Sequence, residues 1–363
     1  MNDSTLRYFK AQLPALAGGY KLDVPACPVK LNQNENPYDW PASLKQAVFE
    51  RVRDLPWNRY PPFVPAEFTQ VVARYLGVDA RQVLVGNGSN ELLYAIFVAT
   101  LEPGRKVVIP QPTFTVYKLL ANLLGAEVVT EGLNTELQYD AAALEKAAQD
   151  ASVVVIASPN NPTGSVINPM DLEHLVNTTH ALWVVDEAYF EFHGETALEL
   201  VQHTPNLVVL RTFSKAFATA GLRFGCMVCH PDAMPMFAAA KLPYNLNLFT
   251  MAAVEVAIEH ANALKGRLEE IRRERERVAR LLREYRGVKV YPSRANFLLF
   301  ETDRPPRQLF DSMVRRGVLV RDVSGYPRLS RALRVSIGRP EENDAFLKAL
   351  EFAITEVPPG GKP

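Results

Sequence analysis

The sequence predicts an α/β protein in which helices cover a mainly parallel sheet, joined to a smaller α+β domain. Seven short apolar runs, rich in β-branched residues, recur between about residues 44 and 260, and helix-like stretches separate them. Consecutive apolar residues are typical of strands that are buried on both faces of a parallel sheet. Near residue 264 charged residues become dense, which indicates that a different domain begins there.

The elements of the first domain follow in chain order. Strands are predicted at 82–87, 106–111, 126–131, 152–159, 181–189, 206–213 and 224–230. Helices are predicted between them, for example over Glu91–Thr100, Thr115–Leu124 and Pro169–Asn177. Strand–helix alternation of this kind favours a helix-covered α/β sheet.

The C-terminal part begins with a long amphipathic helix at about 264–285, whose charged positions form a solvated face. Strands are then predicted at 288–292, 296–301, 318–322 and 333–338, and a last helix near Asn343–Ile354. We therefore predict a large domain over 44–262 and a small domain over 263–363. The turn-rich N-terminal segment, 1–43, is expected to complete the small domain.

Composition excludes several classes of protein. The 363 residues contain 40 Lys and Arg against 40 Asp and Glu, and this zero net charge argues against nucleic-acid binding. No stretch approaches the roughly 18 apolar residues of a membrane span, and the first residues show no secretory signal. Three cysteines, an odd and sparse set, favour a reducing compartment. We expect a cytoplasmic protein without nucleic-acid or membrane partners.

A Gly-x-Gly turn follows the first predicted strand, at Gly86 and Gly88. Such a turn before a helix can hold a phosphate, since small residues expose backbone N–H groups and the helix N-terminus favours an anion. A dinucleotide fingerprint needs a third glycine where Glu91 stands, which disfavours an NAD dehydrogenase. The simpler interpretation is a strand-to-helix turn that Ser89 or Asn90 caps.

Three further motifs follow the ends of later strands. Asp186 ends an apolar strand, where open α/β sheets bind ligands, although a helix cap would explain it equally well. The turn 158–164 presents two asparagine amides that could form a hydrogen-bonding site; the simpler interpretation is a turn without a binding role. Lys215 has hydroxyl residues one and three positions before it and Arg223 eight positions after it. That set suits an imine-forming lysine beside a phosphate clamp.

Metal and disulfide chemistry have little support in the sequence. The six histidines form no metal-ligand array, so no metal is predicted. Cys226 and Cys229 lie in an apolar strand without a second cysteine pair. They are therefore predicted to be buried structural residues rather than a zinc or redox site.

In this order and spacing the motifs resemble those of the fold-type I aminotransferases, which use pyridoxal 5′-phosphate (PLP). The matching residues are Gly88-Ser89-Asn90, Asn161-Pro162-Thr163-Gly164, Asp186-Glu187-Ala188-Tyr189, Ser214-Lys215 and Arg223. Within that family the chain is most similar to the histidinol-phosphate aminotransferases. The supporting segments are 31–37, 59–61, 111–114, 211–217, 295–299, 317–322, 333–338 and 340–343. The resemblance spans about residues 31–350.

The resemblance implies a role for each site residue. Lys215 would hold PLP through an imine and move a proton, with Asp186 at the pyridine nitrogen and Tyr189 at the 3′-oxygen. The implied cofactor contacts are Gly88, Ser89, Asn90, Phe114, Asn161, Asp186, Tyr189, Thr212, Ser214, Lys215 and Arg223, with Tyr60 from the second subunit of a homodimer. The implied substrate contacts are Tyr20, Asn34, Tyr60, Asn161, Arg321 and Arg334.

The implied reaction is transamination of L-histidinol phosphate with 2-oxoglutarate, which gives imidazole-acetol phosphate and L-glutamate in histidine biosynthesis. An aromatic-amino-acid aminotransferase or a threonine-phosphate decarboxylase would share nearly all PLP residues. A PLP-sensing transcription factor would need an added DNA-binding domain. The chain departs from the family pattern at 61–65, at 16–20 around Tyr20, and at Arg339. Arg339 stands where the family commonly has Thr, and it lies close enough to Arg334 in sequence to perturb the substrate contact expected there.

Overall fold

A computed structural model of the chain describes residues 6–16 and 25–360. The strands are β1 (Val29–Lys30), β2 (Val83–Gly86), β3 (Lys106–Val108), β4 (Glu127–Val129), β5 (Val153–Ala157), β6 (Leu182–Asp186), β7 (Leu207–Thr212), β8 (Gly225–Cys229), β9 (Val288–Val290), β10 (Phe297–Thr302), β11 (Val318–Leu319), β12 (Arg321–Asp322) and β13 (Ala332–Ser336). The helices are α1 (Leu13–Leu16), α2 (Ala42–Arg53), α3 (Ala66–Leu76), α4 (Ser89–Thr100), α5 (Thr115–Leu124), α6 (Ala141–Ala148), α7 (Pro169–Thr178), α8 (Phe190–His193), α9 (Leu198–Val201), α10 (Met234–Ala240), α11 (Leu248–Glu259), α12 (Ala261–Glu284), α13 (Pro306–Arg315) and α14 (Pro340–Glu356).

Seven strands form one sheet in the order β2–β8–β7–β6–β5–β3–β4. Strands β3 to β7 run parallel, which confirms the predicted α/β class with a mainly parallel sheet. Each of the seven predicted strands is present. Strand β8, however, pairs antiparallel with both β2 and β7. An apolar strand that is buried on both faces has the same residue pattern in either direction, so the sequence did not predict that β8 runs antiparallel to its neighbours.

The sheet is apolar on consecutive residues because a hydrophobic core lies on each side of it. In β5, Val154 and Ile156 belong to one core, and Val153 and Val155 to the other. Successive residues of a strand point to opposite faces, so a doubly covered strand has no polar face. The same alternation separates the two cysteines of β8: Cys226 faces the first core and Cys229 the second, and both are free thiols.

A second, antiparallel sheet has the order β12–β13–β10–β9, and β1 pairs in parallel with β11. The prediction of one strand over 318–322 was wrong. That segment divides at Val320, because Val318 and Leu319 find their backbone partners in β1 whereas Arg321 and Asp322 find theirs in β13. The charge-dense helix is present as α12, with Ile271, Val278 and Leu282 buried on one side.

The segment 31–40 runs from β1 toward the large sheet and is anchored on both sides. The Trp40 indole N–H donates to the Phe217 carbonyl at 2.6 Å, and the Asn36 amide donates to the Ala216 carbonyl at 3.0 Å. From the C-terminal part, the Arg339 Nε donates to the Pro37 carbonyl at 3.0 Å. These bonds hold the N-terminal segment directly beside Lys215. Among the described residues, no helix combines the length and the apolar character of a membrane span.

Candidate active site

A cavity of about 430 Å³ opens where β5, β6 and β7 end, and it collects most of the predicted site residues. Its volume falls within the range typical of small-molecule sites. The predicted residues that line it are Asn34, Ser89, Asn90, Phe114, Asn161, Asp186, Tyr189, Thr212, Ser214, Lys215, Arg223 and Arg334. The carboxyl ends of parallel strands meet at one edge of a sheet, so motifs far apart in sequence converge there.

One end of the cavity is a cradle of hydrogen-bond donors. Helix α4 begins at Ser89, beside the guanidinium of Arg223, whose Nη1 donates to Ser214 Oγ at 3.3 Å. The Thr212 hydroxyl donates to the same oxygen at 3.0 Å. A helix N-terminus, hydroxyls and a guanidinium form a donor set that suits a phosphate.

Two glycines leave room for this cradle. Gly88 has a φ of +83°, and a Cβ there would lie 2.5 Å from Nη2 of Arg223. A Cβ at Gly225 would lie 2.3 Å from the backbone nitrogen of Ser89. The close approach of β8 to the start of α4 therefore depends on glycine at position 225, whereas a Cβ at position 88 would displace the Arg223 guanidinium.

The opposite end of the cavity holds Asp186. Its Oδ2 accepts a hydrogen bond from the Tyr117 hydroxyl at 2.6 Å, and its Oδ1 accepts one from the Ala188 N–H at 3.0 Å. Burial raises the pKa of this carboxyl, while Tyr117, the Ala188 N–H and Lys215 each act to lower it. Tyr117 is not among the residues predicted for the site, although it lies in the first turn of α5, three residues after Phe114.

Lys215 lies between the two ends. Its Nζ donates to the Gln33 carbonyl at 3.0 Å, so the segment 31–40 contributes backbone to the site. Burial, and next the positive charge of Arg334, lower the pKa of this amine to about 8. The neutral fraction of the amine near neutral pH is therefore much larger than that of an ordinary lysine, and the neutral form is the one that a nucleophile or a base requires.

Side chains that are hydrogen-bonded to one another form the remaining wall of the cavity. The Asn34 amide donates to the Tyr189 hydroxyl at 2.9 Å. Arg334 donates through Nη1 to the Asn161 side chain and through Nη2 to the Asn32 carbonyl, the latter at 2.7 Å. These contacts join β13 to the turn after β5 and to the N-terminal segment, so three distant parts of the chain form one wall.

Two predicted residues, Tyr60 and Arg321, lie outside the wall of this cavity. Tyr60 is 82% exposed and stacks on Tyr244 at 4.8 Å between ring centroids, away from the cavity of its own chain. Arg321 is half-buried and pairs in register with Arg334, next to the cavity wall rather than on it. Tyr20 lies outside the described residues. Arg339 points to the segment 31–40, where it bonds the Pro37 carbonyl and covers the Tyr38 ring.

A larger cavity, of about 1000 Å³, lies beside Arg211 and Glu191. Arg211 forms a buried ion pair with Glu187 at 2.7 Å, and burial raises the pKa of Glu191 to about 7. No lysine is among the described side chains that line it, and its two arginines, Arg211 and Arg272, are already paired with Glu187 and Glu269. The smaller cavity brings together an amine of lowered pKa, a buried carboxyl and a phosphate-type cradle, so its groups suit catalysis better.

No candidate metal-binding site is present in the described ranges 6–16 and 25–360. No group of three or more His, Cys, Asp and Glu side chains is arranged there to hold a metal ion.

Comparisons with known proteins extend these observations. The family model for class I and II aminotransferases matches residues 28–350. The histidinol-phosphate aminotransferase of Chlorobaculum parvum is 40% identical over 326 residues, which are 89% of this chain and 92% of that protein. The solved structure of the Sinorhizobium meliloti histidinol-phosphate aminotransferase in complex with pyridoxal-5′-phosphate matches with a TM-score of 0.85 at 23% identity, covering 96% of this chain and 98% of that one.

A solved L-threonine-O-3-phosphate decarboxylase from Porphyromonas gingivalis also matches, with a TM-score of 0.80 at 24% identity, covering 90% of this chain and 99% of that one. At such identities the two structures establish the shared fold and no more. They confirm the fold that the resemblance implied.

Proposed function

The chain belongs to the class I and II aminotransferases and is a PLP-dependent transferase, and from that premise we propose that it transaminates L-histidinol phosphate with 2-oxoglutarate in histidine biosynthesis. The observation that carries the proposal is the convergence of Lys215, Asp186 and Arg223 on one cavity. The 40% identity with a protein named for this reaction supports the substrate.

The residues present fit PLP. The cradle at Ser89, Ser214 and Arg223 would take the phosphate, and the room that Gly88 leaves beside Arg223 supports this. Asp186, at the other end, would take the pyridine nitrogen. The remaining proposed contacts are Asn90, Phe114, Asn161, Tyr189 and Thr212, all on the cavity wall.

When bound, PLP supplies an aldehyde that takes up the amino group and a ring that withdraws electrons. In this proposal Lys215 contributes Nζ, whose lowered pKa lets it accept and return a proton at the carbon that carries the amino group. Asp186 would hold a proton on the ring nitrogen by its opposite charge. Asn161 and Tyr189 would orient the ring by hydrogen bonds to its 3′-oxygen.

Arg321 and Arg334 are the proposed readers of the substrate anions, with Asn34 and Tyr20 as further proposed contacts. A guanidinium binds phosphate and carboxylate alike through two parallel N–H bonds. That suits an enzyme whose donor carries a phosphate and whose acceptor carries carboxylates. A threonine-phosphate decarboxylase would bind the anionic groups of its substrate in the same way, and the assay described below distinguishes the two activities.

We further propose a homodimer in the cytoplasm, in which Tyr60 serves the neighbouring subunit's site. Exposed aromatic residues support an interface. Phe63 and Tyr60 both contact the Tyr244 ring, and Trp57 packs against Phe249; Trp57, Tyr60 and Phe63 are each more than half exposed. Exposed apolar patches of this kind mark association surfaces. The division into 1–43, 44–262 and 263–363 is likewise proposed.

The proposal is tested by assaying purified protein with a panel of amino donors and 2-oxoglutarate. We expect glutamate formation to be fastest with histidinol phosphate. Preference for phenylalanine or tyrosine would favour the aromatic aminotransferase. Release of CO2 from threonine phosphate without any oxo-acid acceptor would favour the decarboxylase.

A further inference from the structure

Tyr117, on helix α5, contacts two residues of the candidate site. Its hydroxyl donates to Oδ2 of Asp186 at 2.6 Å, and the edge of its ring meets the Phe114 ring with 5.5 Å between centroids. The side chain is almost fully buried, with 1% of its surface exposed, and it borders the cavity. A fully buried tyrosine with a short bond to a carboxylate is held in one orientation.

We propose that Tyr117 is a positioning residue for the cofactor: its hydroxyl holds the Asp186 carboxyl oriented toward the ring nitrogen, and its ring supports Phe114. This inference rests on the proposed function, since it concerns how the chain would hold PLP. Nothing in the sequence motifs assigns Tyr117 a role.

The physical argument starts from the cost of burying a carboxylate. Burial favours the neutral form of Asp186, and each donor that bonds the carboxylate opposes this effect. The other titratable groups around Asp186 and Tyr117 are Lys215, Tyr139 and Tyr189. Of these, only Lys215 can carry a positive charge, and in the holoenzyme its amine would be joined to the cofactor. The Tyr117 hydroxyl would then be the side-chain donor that remains.

The test variant is Tyr117→Phe, which removes the hydroxyl but keeps the ring against Phe114. The probe is pyridoxine 5′-phosphate, which has the ring nitrogen and the phosphate but no aldehyde, so binding is read without covalent capture by Lys215. We expect its dissociation constant to rise about tenfold or more, as loss of a charge-assisted hydrogen bond implies. The dissociation constant of inorganic phosphate should stay within twofold, because phosphate occupies only the cradle.

The pH profile supplies a signature that a structural defect would not produce. Tyr117 lowers the pKa of Asp186, so without it the carboxyl gains its proton at higher pH. When the solution is acidified, Tyr117→Phe should therefore lose affinity for pyridoxine 5′-phosphate at a higher pH than wild type does. Tyr285→Phe, which removes a hydroxyl bonded to the Leu347 carbonyl, is the matched control and should leave both the affinity and the profile unchanged.

Unchanged affinity and profile in Tyr117→Phe would overturn the inference. Equal weakening of pyridoxine 5′-phosphate and inorganic phosphate would overturn it as well, because that result indicates a general disturbance of the cavity. If wild type fails to bind pyridoxine 5′-phosphate or PLP at all, the proposed function fails instead, so the two failures are distinguishable.

Discussion

Arg321 and Arg334 are directly opposite each other across the antiparallel strands β12 and β13. Residues that are paired in this way project from the same face of a sheet, and like charges there repel. Arg334 is buried, and its guanidinium bonds Asn161 and Asn32. An anion bound between the two guanidinium groups would relieve their repulsion, and we propose that the substrate phosphate binds there.

The first prediction concerns this pair. Arg321→Ala should impair turnover of histidinol phosphate strongly, by roughly 10- to 150-fold in kcat/KM, as loss of a charge-assisted hydrogen bond of about 1.5–3 kcal/mol implies. Unphosphorylated aromatic donors should be much less affected. Arg334→Ala should slow both half-reactions, because the acceptor carboxylate also depends on it. Equal, small losses with every donor would contradict the proposed role of both arginines in substrate binding.

The second prediction concerns Lys215. The purified protein should be yellow from its imine with PLP, borohydride should fix the cofactor on Lys215, and Lys215→Ala should abolish transamination. Because burial lowers the pKa of this amine to about 8, the rate at which apo-protein takes up PLP should rise with pH and reach half its maximum near pH 8. A midpoint near 10.5, the ordinary lysine value, or a colourless and inactive protein after addition of PLP, would contradict it.

The third prediction tests the shared site. Lys215→Ala and Tyr60→Ala chains should each be inactive alone. Mixed and allowed to exchange subunits, they should regain activity, since some dimers then hold one site with both residues intact. Mass spectrometry of differently labelled chains would verify the exchange. Persistent inactivity despite proven exchange would place Tyr60 outside the neighbour's site.

The fourth prediction concerns the phosphate cradle. Gly88→Ala should weaken binding of inorganic phosphate and PLP at least tenfold, because the new methyl group would collide with Arg223. Gly77→Ala is the matched control: Gly77 has a similar φ of +73°, but a Cβ there meets nothing within 4 Å. It should cost only about 1 kcal/mol of backbone strain and leave binding unchanged. Equal effects of both variants on binding would contradict the prediction.

The fifth prediction concerns the buried ion pair of Arg211 with Glu187. Arg211→Met leaves the carboxylate buried without its partner, so the free energy of unfolding at neutral pH should fall by about 3–5 kcal/mol, as measured by denaturant titration. Arg211 lowers the pKa of Glu187, so without it the carboxyl is protonated at higher pH and the loss should shrink on acidification.

Two controls accompany that measurement. Arg280→Ala, which breaks an exposed pair with Glu284, should cost no more than about 1 kcal/mol. The double variant Glu187→Gln with Arg211→Met should recover part of the loss, since position 187 then carries no unpaired charge. A loss in Arg211→Met as small as that in Arg280→Ala would show that the pair does not stabilise the fold.

Local patterns predicted the strands and the wall of the cavity well. Apolar runs such as Val153–Ala157 mark strands because a doubly covered strand has no polar side, and the polar residues that follow them meet at one sheet edge. Strand direction was not predictable for β8, because its partners lie far away in sequence. The break at Val320 was missed for the same reason: each half pairs with a different distant strand.

Side-chain partners were harder to predict than positions. Tyr117 has the pattern of an ordinary buried aromatic, and only the fold brings it to Asp186. Arg339 follows Arg334 closely in sequence, but its side chain turns to the Pro37 carbonyl because the backbone leaves the strand at Ser336 before helix α14 begins. The role proposed for Tyr60 depends on a second chain, which a single sequence does not describe.

The position of β2 next to β8 affects the stage of synthesis at which a nascent chain could first bind its cofactor. Gly86 pairs with Gly225, and every other strand of that sheet lies between the two in the sequence. A polypeptide emerging from the ribosome therefore carries Ser89 and Asn90 long before it carries Arg223. Non-local pairings of this kind form late, after the intervening loops have closed. The proposed phosphate cradle is consequently complete only when the sheet is complete, and we expect that a nascent chain that ends before β8 does not retain the cofactor.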